Sequence, residues 1–242
     1  MSFQLPPTIL FDLDDKILAY DAVAEDCWEK VCYQFATKVP GLVSGQLLDV
    51  IMETRRWYWS DPERNRRGRL DLHAARQEVV SAAFARLGIN APMVANELAD
   101  SYAVVREKMV KPIPGAIETL GQFRDEGVKL GLVTNGSAEL QRAKIDRFGL
   151  GSLFGCILIE GEFGVGKPDE RVYRHSLEQL KASPSETWMV GDNLALDVEA
   201  PQRLGIWSIW VDWAQTGLPN QSLIQPDHII HKIAELVSKA DG

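Results

Sequence analysis

The chain has 242 residues, 45% of them hydrophobic and 25% charged, ordinary values for a globular protein and enough for one large domain or a core with a smaller companion. A formal charge of −8 argues against non-specific binding to nucleic acid or to an anionic membrane, and no apolar run approaches the roughly 20 residues of a membrane span. Cys27, Cys32 and Cys156 lack metal-type spacing and read as reduced thiols in a cytoplasm. The opening MSFQLPP has no basic region leading into an apolar stretch, so no signal peptide is expected.

In chain order, Ile9 to Phe11 read as a buried strand that ends on two carboxylates, Asp12 and Asp14. Alternation along an extended backbone would point both to one side. Two crowded carboxylates at the end of an apolar strand need hydration, hydrogen bonds or a cation. Residues 21 to 110 carry only helical signals: Val23, Cys27, Val31 and Phe35 recur at helical spacing, and further helices start around Leu47, Val79 and Leu98. Lys111-Pro112-Ile113-Pro114-Gly115 breaks the run as a stiff connection, a hinge or boundary.

Beyond it the pattern alternates. Helices over 115–126, 137–147, 169–182 and 194–204 are each followed or preceded by strands at 129–134, 156–160, 187–190 and 207–211. That alternation predicts an α/β fold, a doubly wound parallel sheet split after its first strand by a helical insert. The expected division is a core of 1–18 and 111–242, with 19–110 as the insert.

Three more polar clusters fall at predicted strand ends. Thr134, Asn135, Gly136 and Ser137 offer a hydroxyl and a strand-to-helix turn whose N–H groups suit an anion. Gly164-Val165-Gly166-Lys167-Pro168-Asp169 presents a single lysine, a compact charge suited to a phosphoryl oxygen. Gly191-Asp192-Asn193 is followed by Asp197 on the next helix. Parallel strands bring all these to one edge. Hard carboxylate oxygens in a loose array suit Mg²⁺, which keeps waters and bridges to phosphate. With phosphate charge offset, one carboxylate can attack phosphorus while another moves the proton.

Taken in order, FDLDD, VTNGS, GKPD and VGDNLALD make the chain resemble the haloacid dehalogenase superfamily, in its phosphatase branch with a helical cap after the first strand. The resemblance implies Asp12 as the nucleophile that forms an aspartyl-phosphate and Asp14 as general acid and base. It implies phosphoryl binding by Thr134, Asn135 and Lys167. It also implies Mg²⁺ held by Asp12, the main-chain carbonyl of Asp14, and Asp192, with Asp197 in support. The substrate implied is a small phosphorylated metabolite, handled by a monomer or homodimer without nucleic acid or membrane. A cap moving about 18–20 and 111–115 would exclude water. Two other readings stand beside this one: an impaired family member that binds a phosphometabolite or a partner, and a dehalogenase, which Asp14 disfavours.

Lys16 departs from the resemblance, since the phosphatase motif has threonine there. Either its side chain bends out to solvent, or its ammonium pairs with Asp14 or Asp12 and competes with Mg²⁺. Asp197, inside a helix, has its own plain reading as the partner of a nearby lysine. In the insert, Arg55, Arg56, Arg64, Arg66, Arg67 and Arg69 cluster beside Trp57, Tyr58 and Trp59. They read either as a recognition surface for phosphate or carboxylate, or as a solvated helix end paired with Asp61, Glu63 and Asp71.

Overall fold

A computed structural model describes residues 4–39 and 42–237. The first three residues of the MSFQLPP segment and the last five residues of the expected core lie outside the described residues. Two compact units result: one runs to Ala19 and resumes at Pro112, and the other spans Tyr20–Lys111.

The first unit is built on six parallel strands: β1 (Thr8–Phe11), β2 (Lys129–Thr134), β3 (Cys156–Ile159), β4 (Thr187–Gly191), β5 (Trp207–Val211) and β6 (His228–Ile230). Their spatial order is β3-β2-β1-β4-β5-β6. β1 is central, with Thr8 opposite both Lys129 and Thr187 and Phe11 opposite both Leu132 and Val190. All four residues of β1 are buried, as a strand covered on both faces requires. Alternation sends successive residues to opposite faces. Leu10 joins Val133, Met189, Val172, Tyr173 and Leu177, whereas Phe11 stacks on Phe123 at 6.2 Å between ring centroids. The strand order reverses between β1 and β4, and a sheet of this kind opens a crevice beyond its carboxyl ends at such a point.

The predicted helices of this unit form close to their expected limits, at Ala116–Asp125, Ala138–Arg147 and Glu170–Leu180. Ser137 and Asp169 cap the last two through side-chain oxygens that accept from Leu140 N and Arg171 N. The helix expected over 194–204 differs. Leu194–Glu199 is a π-helical turn, followed by only Ala200–Gln202 in α geometry. Strand β6 and the short helix Glu160–Phe163 were not anticipated, being only three and four residues long.

The described residues of the second unit carry the α-helices Ala24–Ala36, Ser44–Ser60, Pro62–Leu70, Leu72–Arg86 and Pro92–Met109. Asp61 and Asp71 end one helix and cap the next. Its core gathers Cys27, Trp28, Val31, Leu47, Ile51, Tyr58, Val80, Phe84, Leu98 and Tyr102. Trp28 stacks on Tyr102 at 3.6 Å between centroids. Among the described residues, no helix is long and apolar enough to cross a membrane.

All three cysteines are free and buried, and burial pushes the Cys32 thiol up to about 12. A raised value leaves almost no thiolate near pH 8, and the thiolate is the reactive form. Iodoacetamide at pH 8 should therefore leave the native thiols almost unmodified and label all three once the chain is unfolded in guanidinium. Rapid native labelling of Cys32, read by mass spectrometry, would contradict this packing.

Candidate active site

The four polar clusters converge at the carboxyl edge of the sheet. After Phe11 the ladder continues one residue further, Asp12 N donating to Val190 O at 3.0 Å. The chain then turns. Ile17 N donates to Leu13 O at 3.0 Å, Asp15 N donates to Leu18 O at 2.6 Å, and Asp15 takes a φ of 61°. Asp12 and Asp14 lie just beyond β1, at the start of this turn. The same turn folds Lys16 back over Asp12.

Lys16 is among the largest buried side chains, 2% exposed, which rules out the reading that sends it to solvent. Its Nζ lies 2.5 Å from Asp12 Oδ2 and 2.6 Å from Asp192 Oδ1. Lys167, equally buried, places its Nζ 3.0 Å from Asp12 Oδ1 and 2.6 Å from Asp197 Oδ1. Both oxygens of Asp12 thus face ammonium groups. Burial opposes its charge, but Lys16 and then Lys167 overcome that and hold the carboxyl well below the usual carboxylate range. Burial likewise works against the charge of Lys16, and Asp12 and Asp192 reverse the effect and raise it well above an ordinary lysine.

Asp197 is fully enclosed, and burial pushes its carboxyl up, opposed chiefly by Lys167. It accepts from Asn193 N at 3.0 Å, while Asn193 Oδ1 caps the π turn by accepting from Ala195 N and Leu196 N. Gly191 makes this possible, since a Cβ there would lie 2.2 Å from Asp197 Cγ. The plain reading of Asp197 as a lysine's partner describes its contact with Lys167.

Asp14 stands apart, with Lys144 Nζ donating to its two oxygens at 2.8 and 2.7 Å and Gln141 Nε2 at 3.3 Å from Oδ2. Lys16 pairs with Asp12, not with Asp14. Thr134 is buried, and its hydroxyl accepts from Gln141 Nε2 at 2.6 Å. The Asn135 side chain is committed elsewhere: Nδ2 donates to Lys167 O and Oδ1 accepts from Lys167 N, both at 2.8 Å. Asn135 therefore aims Lys167, and what it has for an anion is main chain. Gly166 is needed for this clamp, because a Cβ would sit 2.6 Å from Asn135 Oδ1.

Several residues were not foreseen. Gln141 and Lys144 lie three apart on one helix face, a spacing visible in the sequence but without a marker that it faces the strand end. Glu160, buried, accepts from Gly136 N at 3.0 Å. Trp213 Nε1 donates to Asp192 Oδ2 at 3.2 Å, and Trp210 Nε1 to Asp192 O at 2.7 Å.

Carboxylate oxygens of Asp12, Asp192 and Asp197 lie within 4.8 Å of one another, a hard donor set suited in kind to a divalent ion. The Asp14 carboxylate is not part of that group. Mg²⁺ sits about 2.0–2.1 Å from each oxygen it binds. Lys16 Nζ already stands within 2.6 Å of oxygens on both Asp12 and Asp192. The position bridging those two acids is therefore taken by an ammonium, and the residues as arranged do not fit the ion.

In the helical unit, five of the six clustered arginines are engaged internally. Arg55 pairs with Asp21, Arg66 with Glu63 and Arg67 with Glu78, at 2.7, 2.7 and 2.9 Å. Arg64 lies 4.0 Å over the Trp57 ring and donates to the Trp57 and Tyr58 carbonyls, and Arg69 donates to Asn65.

The model of the haloacid dehalogenase-like hydrolases matches residues 6–205, so the chain belongs to that family. It is 40% identical over 138 residues to the phosphoserine phosphatase of Thermus thermophilus, covering 57% of this chain and 54% of that protein. To a glyceraldehyde 3-phosphate phosphatase of Methanopyrus kandleri it is 35% identical over 109 residues, 45% of this chain and 47% of the relative. The chain spans about half the length of these two relatives. Over 96% of the chain and 94% of the relative it is 26% identical to the pyrimidine 5'-nucleotidase PynA of Streptococcus pneumoniae. The fold is similar to the HAD-hydrolase YfnB of Bacillus subtilis, a structure bound to magnesium, with a TM-score of 0.76, 23% identity and coverage of 99% and 100% of the two chains.

Because both ends of the Asn135 amide are used, Asn135→Ala leaves the Lys167 N–H and C=O unpaired near the sheet edge. It should lower stability by about 1–3 kcal/mol in urea unfolding. An unchanged midpoint would show that the clamp contributes nothing.

Proposed function

We propose that the protein hydrolyses the phosphomonoester of a small soluble metabolite, with Asp12 as nucleophile and Asp14 as the acid and base. The observation that carries this reading is the separation of two carboxylates at one strand end onto different partners. Asp12 is held by Lys16 and Lys167, Asp14 by Lys144 and Gln141. Distinct surroundings allow two like groups to take distinct roles.

In the first step an Asp12 carboxylate oxygen bonds to phosphorus as the ester P–O bond breaks. The leaving alkoxide takes a proton from Asp14. Water then attacks the aspartyl-phosphate, Asp14 takes a proton from it, and inorganic phosphate leaves with Asp12 restored. Lys167 supplies positive charge to a phosphoryl oxygen beside Asp12, and the Thr134 hydroxyl and the main-chain N–H groups of Asn135 and Ser137 add donors. The family resemblance implies Mg²⁺ as cofactor; with the bridging position taken by Lys16, the reaction is written without it. The names of the relatives share a small phosphorylated substrate, and that class is proposed here. Free, buried cysteines suit a reducing cytoplasm.

One observation favours a second reading, a phosphometabolite-binding member with impaired catalysis: both oxygens of the proposed nucleophile are already engaged. Dehalogenation is disfavoured by the presence of Asp14. Quenched-flow with a labelled phosphomonoester separates the readings. The hydrolase forms an acyl-phosphate sensitive to hydroxylamine, and Asp12→Asn lowers turnover by at least about a thousandfold. A protein that binds the phosphoester but never yields the covalent species belongs to the second reading, and halide release from a 2-haloacid would replace both.

A further inference from the structure

We propose that Lys16 is a built-in cation that takes the place of a divalent ion at this site, so that the protein anchors phosphate independently of metal. Three observations converge. The first is position: one nitrogen lies 2.5 Å from Asp12 Oδ2 and 2.6 Å from Asp192 Oδ1, on carboxylates that follow β1 and β4 at the reversal of strand order. The second is burial. A lysine of which 2% is exposed, when its long side chain could have carried the charge to water, is held by its partners. The third is the local backbone. The bonds Ile17 N to Leu13 O and Asp15 N to Leu18 O close a turn that returns Lys16 onto Asp12 four residues earlier.

The chemistry follows from charge and geometry. An ammonium has three donors in a compact head. Two reach Asp12 and Asp192, and the third remains for a phosphoryl oxygen. With Lys167 on the other oxygen of Asp12, a phosphate entering the site meets two fixed ammonium groups, where a threonine at 16 would leave no cation between Asp12 and Asp192. The three carboxylates would then form the open, hard-oxygen group that a divalent ion fills. Lys16 also donates two hydrogen bonds that a metal would replace by shorter bonds of higher charge. Its substitution should therefore convert a metal-independent site into a metal-binding one.

The catalytic consequence rests on the phosphatase reading, whereas the placement of the cation does not. The test therefore reads metal binding directly, by electron paramagnetic resonance and calorimetric titration with Mn²⁺ alone. Wild-type protein should show no saturable Mn²⁺ site, and Lys16→Thr should gain one. Asp192→Asn in the Lys16→Thr background should remove it. If Lys16→Thr does not fold, Lys16→Gln, which keeps the stem and loses the charge, serves in its place. Where substrate turnover is found, EDTA should leave wild type unaffected and inhibit Lys16→Thr. Saturable Mn²⁺ binding by wild type at an affinity equal to the variant would falsify the proposal, as would a folded variant with no site. Absence of turnover in every protein, with the binding contrast intact, would overturn the phosphatase reading alone.

Discussion

Packing two ammonium groups among three carboxylates at the carboxyl end of a buried sheet is the constraint on which the core depends. Removed from water, any one of these charges alone would cost several kcal/mol, so each must be aimed at its partners with little freedom. Much of the local structure serves that aim. The turn over 12–17 returns Lys16 to Asp12. The Asn135 amide fixes the main chain of Lys167 from both sides. The π turn at 194–199 and the bare Cα of Gly191 let Asp197 approach Lys167. π turns occur often at functional sites because the extra residue shifts a side chain off the regular helical face.

The parts of this arrangement that depend on period were legible in the sequence. The apolar run before Asp12 and the alternation of strands and helices after Gly115 predict a parallel sheet, and the sheet orders itself β3-β2-β1-β4-β5-β6. Parallel strands share one carboxyl edge, so motifs far apart in the chain meet there. Features that depend on side-chain direction were less accessible. Asn135 reads as a phosphate ligand from its place after a strand, yet its amide geometry matches a peptide group and is used on Lys167. Gln141 and Lys144 look like ordinary polar residues of a surface helix until the turn after β1 sets Asp14 beside them. The two readings of Lys16 were equally open in the sequence because a lysine stem is long enough for either. The hydrogen bonds of a four-residue turn decide between them.

The same lesson holds separately in the helical unit. A run of arginines in an acidic chain invites a recognition role, but Arg55, Arg66 and Arg67 each find a carboxylate in their own unit. Arg64 covers the half-exposed Trp57 with its guanidinium and satisfies two carbonyls left by the preceding helix. These contacts finish helix ends and shield aromatic surface, tasks that planar guanidinium groups perform through stacking and multiple donors. Clustering in sequence thus reports local structural need as readily as it reports a ligand.

In the proposed mechanism, a fixed ammonium on Asp12 bears on both chemical steps. A carboxylate held well below its usual range is a weaker nucleophile, because the charge it would share with phosphorus is already drawn toward Lys16 and Lys167. The same stabilisation makes Asp12 a better leaving group when water attacks the acyl-phosphate. A divalent ion would shift both steps with its concentration and could be withdrawn. A lysine attached four residues from the nucleophile cannot leave, so the charge that opposes attack is also the charge that holds the phosphate.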